Sequence, residues 1–232
     1  MANLRPLALV VALATGCTSG GATAGGATAG GARIRVAAQP FALAEVARRV
    51  GLDRVVVSDE GTVVLNAGGD PDPWLDPVAM EAVTDRVAAT LSGADPPGRE
   101  AYLAAARAFR AQLGALDINY RSSLADCARH DIVTADTAFT RMASRYGFVD
   151  HAAGEPGVAD LIATRGIPVV FTEPGVAAAP VQALAQATHT TVVQLETLTA
   201  GAPGRAARGA TYLSLMADDL ARLRTALACI SS

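Results

Sequence analysis

Asp70-Pro71-Asp72-Pro73-Trp74-Leu75-Asp76-Pro77 carries three Asp-Pro steps and the only tryptophan of the chain. A residue before proline is pushed toward extended geometry, and extended residues two apart point to one side. Asp70 and Asp72 are therefore expected to aim their carboxylates the same way. Asp76-Pro77 reads as a helix start, an acid at the N-cap with proline at the first helical position. In the simplest account the stretch is a rigid loop that ends in a cap, with Trp74 plugging the core beside it. Asp72 stays open between that account and a binding role, and acids further along the chain bear on the choice.

Downstream, residues 78–91 read as a helix and residues 92–97 break it. A long helix is expected over residues 98–124. Tyr102, Ala106, Phe109, Leu113, Leu116, Tyr120 and Leu124 step by three or four and form one apolar stripe along it. Such a helix is either a spine joining two lobes or one member of a bundle. After it, strands are expected at residues 131–134, 167–172 and 191–195, with helices following each. The last helix carries Tyr212, Leu215, Met216, Leu220, Leu223 and Leu227 on one face. Strands alternating with helices imply a parallel sheet. Upstream, residues 34–38 read as a strand and Phe41, Leu43, Val46 and Val50 as one face of a helix stopped by Gly51. Residues 55–57 and 63–65 flank Asp59-Glu60-Gly61 and read as a short hairpin.

Asp136, Glu173 and Glu196 each fall at or just past the C-terminal end of an expected strand. Ligands of open α/β sheets bind at that edge. Crowded carboxylates repel one another and take up protons, whereas a bound cation compensates them. All-oxygen donors suit hard ions such as Mg²⁺, Ca²⁺ or Mn²⁺. Asp72 can face the three from the other half. The competing account makes Asp136 a cap for the next helix and Glu173, beside Pro174, part of a structural turn. His130, His151 and His189 show no ligand spacing and are read as structural, on helix ends or in loops, with His151 in a loop near the site edge.

These segments resemble the zinc/manganese-type solute-binding lipoproteins of ABC importers. Residues 70–77 line up with that family's Asp-Pro-His-x-Trp-Leu-Asp-Pro motif. Val133-Thr134-Ala135-Asp136-Thr137-Ala138-Phe139 and Arg145-Tyr146-Gly147 line up with its Val-Thr-Ser-His-x-Ala-Phe stretch and Arg-Tyr-Gly. Val170-Phe171-Thr172-Glu173-Pro174 matches its Phe-x-Glu-Pro strand, and Tyr212-Leu213-Ser214-Leu215-Met216 its last helix. The resemblance covers residues 33–229. It implies an α/β fold of two lobes with parallel sheets joined by a long helix, and a metal held between them. Asp72 and Asp136 stand where the family has histidines, and Glu196 corresponds to its last acid. The segment with the family's first histidine is missing, so the N-terminal lobe is shortened. The expected metal site is Asp72, Asp136 and Glu196, with Glu173 a weaker candidate. The cargo is a divalent metal ion, Zn, Mn or a harder ion, because carboxylate in place of imidazole shifts preference away from zinc.

The N-terminus reads as an address. Arg5 and the apolar run of residues 7–14 fit a secretory signal, too short to span a bilayer. Thr15-Gly16-Cys17 resembles a lipobox, in which Cys17 is lipidated. Residues 20–32 repeat Gly, Ala and Thr and read as a flexible tether. The expected layout is residues 1–17 signal peptide, 18–32 tether, 33–97 shortened N-terminal lobe, 98–126 linking helix and 127–232 C-terminal lobe. Cys127 and Cys229 form an even pair in an oxidising compartment and favour a disulfide, with two buried thiols as the alternative. The net charge of −3 gives no basic patch for nucleic acid. The expected partners are an importer permease and, through Cys17, the membrane, with the protein a monomer. The chain is read as a receptor and not an enzyme, since no nucleophile-base pair is evident. A scaffold that kept the fold and lost the metal is the second reading, and a hydrolase using paired carboxylates the last.

Overall fold

The computed structural model describes residues 33–69, 72–199 and 209–230. The lipobox, the tether and Asp70 lie outside the described residues. Among the described residues no helix is long and apolar enough to cross a membrane.

The first sheet holds β1 (Ile34–Ala37), β2 (Val55–Ser58) and β3 (Val63–Val64) in the order β2-β1-β3, all parallel. The expected hairpin is therefore corrected: β2 and β3 lie on opposite sides of β1, and the chain between them crosses over β1. Gly61 makes that crossing. A Cβ there would lie 2.5 Å from the Ala37 nitrogen and 2.7 Å from the Val36 carbonyl carbon, both backbone atoms that cannot yield. The glycine serves close approach, not a hairpin turn. Thr62 Oγ1 donates to the Arg35 carbonyl at 3.2 Å and fastens the crossing. Helix α1 (Phe41–Gly51) buries Phe41, Leu43, Val46 and Val50, the face expected from their spacing.

A short 3-10 turn over Pro73–Leu75 leads into α2 (Pro77–Ala94). Asp76 caps α2 as expected, its Oδ1 accepting from the Val78 N–H at 2.9 Å. Helix α3 (Arg99–Leu124) buries the whole anticipated stripe from Tyr102 to Leu124. At 1.5 Å per residue it runs about 39 Å. It packs on α1 and α2 of the first half and on the helices Thr140–Tyr146 and Tyr212–Leu227 of the second. The spine reading holds.

The second sheet holds β4 (Asp131–Thr134), β5 (Val149–Ala152), β6 (Val169–Thr172) and β7 (Thr191–Gln194), all parallel, in the order β5-β4-β6-β7. Helices α4 (Thr140–Tyr146), α5 (Val158–Arg165), α6 (Ala179–Thr188) and α7 (Tyr212–Leu227) complete it. Val133, Val170, Ile162 and Val181 form a core between this sheet, α5 and α6. A larger core joins the other side of the sheet to α3, α7 and the first half. Strand β5 places His151 in a strand rather than a loop, which corrects the sequence reading. Cys127 and Cys229 are bonded to each other in the structure.

The Arg-Tyr-Gly run at 145–147 interlocks the pieces. Arg145 contacts Asp117 of α3 through Nε at 2.8 Å and Nη2 at 2.7 Å, and Asp76 of the α2 cap through Nε at 3.2 Å. The Tyr146 hydroxyl donates to Asp117 at 3.0 Å, and its ring lies 4.8 Å from that of Tyr120. Gly147, at φ 82°, ends α4 in the left-handed conformation. Tyr212 of α7 donates to the Trp74 carbonyl at 2.7 Å.

Two outcomes are expected. Arg145→Met leaves two mostly buried carboxylates without their shared cation and should lower unfolding stability by about 3 kcal/mol. Gly61→Ala should cost about 2 kcal/mol by overpacking against β1. Urea melts read both, and wild-type midpoints would refute the respective roles.

Candidate metal centre

Asp136 lies two residues beyond β4, Glu173 directly beyond β6 and Glu196 two residues beyond β7. The parallel strands set all three at one sheet edge, as expected. Glu173 is only 3% exposed. Its Oε1 accepts from the Ala135 N–H at 3.2 Å, so the carboxylate lies against the loop that carries Asp136. Its Oε2 is buried with no hydrogen-bond partner. Burial first, and then the charge of Asp136, push the Glu173 carboxyl up to about 7.

Asp150 of β5 joins this group. It accepts from Thr134 Oγ1 at 2.7 Å and from the Phe139 N–H at 3.0 Å. Burial, with a smaller contribution from Asp136, raises it to about 6. The carboxylates of Asp136, Asp150 and Glu173 thus act on one another around the β4–α4 loop. Asp150 was missed in the sequence because Val149-Asp150-His151-Ala152 lacks strand alternation. Asp136 itself is exposed, and its Oδ1 accepts from the Ala138 N–H at 2.9 Å. This is a local Asx turn. Helix α4 starts only at Thr140, so Asp136 does not cap it.

Glu196 sits in a separate set of contacts. It is fully buried, its backbone N–H donates to both carboxylate oxygens of Asp219 at 3.0 and 3.2 Å, and Gln194 Nε2 donates to its Oε1 at 2.8 Å. Asp219 on α7 also accepts from Arg222 at 2.9 Å, and burial raises its carboxyl to about 8.

Asp72 departs from the expected extended geometry. Its φ of 47° and ψ of 48° are left-handed. Its carbonyl accepts from the Leu75 N–H at 3.2 Å and opens the 3-10 turn. Asp72 lines a cavity of about 740 Å³ together with Thr137 and Ala138, the residues that follow Asp136. The two motif segments therefore meet on one cavity. Among the described residues no group of three or more His, Cys, Asp or Glu side chains is arranged to hold a metal ion. The structure brings Asp136 and Glu173 together, sets Asp72 across the cavity from the Asp136 loop, and engages Glu196 with Asp219 and Gln194.

The histidines have other tasks. His151 Nε2 lies 3.0 Å from Asp131 and Nδ1 lies 3.3 Å from Glu155. His189 ends α6 in the left-handed conformation. The His130 carbonyl accepts from the Val149 N–H at 2.7 Å and starts the β4–β5 pairing.

Two parallel sheets braced by a long helix, with acids at the strand ends, have the architecture of the solute-binding receptors of ABC importers. The family described as zinc-uptake complex component A, periplasmic (ZnuA), matches residues 12–226, and the chain belongs to it. The high-affinity zinc uptake system protein ZnuA of Bacillus subtilis is 25% identical over 170 residues, 68% of this chain and 53% of that protein. The chain thus spans about half the length of that curated relative. Among solved structures, the laminin-binding protein Lbp of Streptococcus pyogenes superimposes with a TM-score of 0.73 at 20% identity, over 85% of this chain and 100% of that one. The Zn(II)-bound ZnuA-like domain of Streptococcus pneumoniae AdcA gives 0.72 at 18% identity, over 84% and 99%. These likenesses establish the fold.

The raised acids set a pH dependence. Asp150, Glu173 and Asp219 hold protons in the native state up to about 6, 7 and 8, whereas unfolded carboxyls ionise near 4. The native state binds more protons across that window, so its stability is greatest below about pH 4 on this account and falls as pH rises through 6 to 8. Thermal melts of the metal-free protein should show Tm falling from pH 5 to pH 8, with a shallower slope in Glu173→Gln. A Tm that rises over this range would contradict the assignment.

Proposed function

We propose that the chain is an extracytoplasmic receptor that carries a divalent cation to an ABC importer, with carboxylates where the family has imidazoles. The observation that carries this reading is the shared cavity of Asp72 and the loop of Asp136, within a chain of the zinc-uptake family. Asp72 and Asp136 are the principal ligands, Glu173 offers its buried unpartnered Oε2, and Glu196 supplies the acid at the end of β7. This donor set fits a hard divalent cation, because each ligand is an anionic oxygen. The ion is Mn²⁺, or Zn²⁺ held less tightly than by imidazole. No catalytic step is needed: the protein binds and releases.

The remaining organisation follows the same reading. Residues 1–17 are a lipoprotein signal with Cys17 as the lipid anchor, and residues 18–32 a tether. Residues 33–97 form a shortened N-terminal lobe, 98–126 the linking helix and 127–232 the C-terminal lobe. The Cys127–Cys229 disulfide suits that oxidising compartment, and a monomer docks on the importer permease. A scaffold that retains the fold without a metal is the second reading. It is favoured by one observation, that no three ligand-type side chains among the described residues converge.

Elemental analysis of the intact chain, purified without chelator, separates the two. A receptor should carry near-stoichiometric divalent metal that the Asp72→Ala, Asp136→Ala double variant loses. Protein that stays empty after incubation with Mn²⁺, Zn²⁺, Ca²⁺ and Mg²⁺ would leave the scaffold reading standing.

A further inference from the structure

We draw no further inference here: the strongest candidate, the cavity of about 1020 Å³ at the C-terminal ends of β1 and β2, carries nothing, because its acids are already engaged, Asp59 by Gln39 at 3.0 Å and Glu45 by Arg49 at 2.9 Å, its Arg48 is exposed, and nothing in the structure shows what fills it.

Discussion

The ion pairs of Arg145 hold the molecule's two motif regions in register. One guanidinium spans Asp117 in the middle of the long helix and Asp76 at the cap of α2. Burying such charges is costly, and the cost is offset only when each has its partner. Each carboxylate has a second anchor: Tyr146 donates to Asp117, and the Val78 N–H donates to Asp76. The result fixes where α4 begins relative to the Asp72 turn, and so how the β4–α4 loop faces it. Packing along α3 supplies the bulk of the cohesion, but a hydrophobic stripe tolerates sliding in a way that an arginine fork does not.

At the sheet edge, a bound cation would compete with protons for the same carboxylates. Burial raises the proton affinity of Asp150 and Glu173, and the charge of Asp136 raises it further. Glu173, at about 7, is poised between its acid and its anion near neutral pH. A divalent cation bound there would relieve the same repulsion by displacing the proton, as metal binding to acidic ligands generally does. A carboxylate site gains compatibility with harder ions.

Elements with strong local periodicity were legible in the sequence. The α3 stripe, the Asp76 cap and strands β4, β6 and β7 each follow from spacing alone. Strand β5 was not, because Val149-Asp150-His151-Ala152 is an edge strand with little apolar content. Helix α5 escaped notice because it is eight residues long between two glycines at positive φ. Asp59-Glu60-Gly61 carries a turn signal, yet its glycine is required by the backbone of β1, which is distant in sequence. Asp72 reads as extended from the proline after it, yet it is left-handed in the structure, and no local sequence signal reports that. The placement of the acids at one sheet edge is legible because parallel strands bring their C-terminal ends together. The separate engagement of Glu196 with Asp219 depends on the docking of α7, which no local pattern reports.

The central claim is that a cation bridges the Asp72 turn and the Asp136 loop. An anomalous difference map from crystals of the intact chain, grown with Mn²⁺ or Zn²⁺ and measured at the metal edge, tests it directly. The expected peak lies about 2.0–2.2 Å from carboxylate oxygens of both Asp72 and Asp136. A peak bound by neither residue, or a flat map at that cavity with metal in excess, would contradict it.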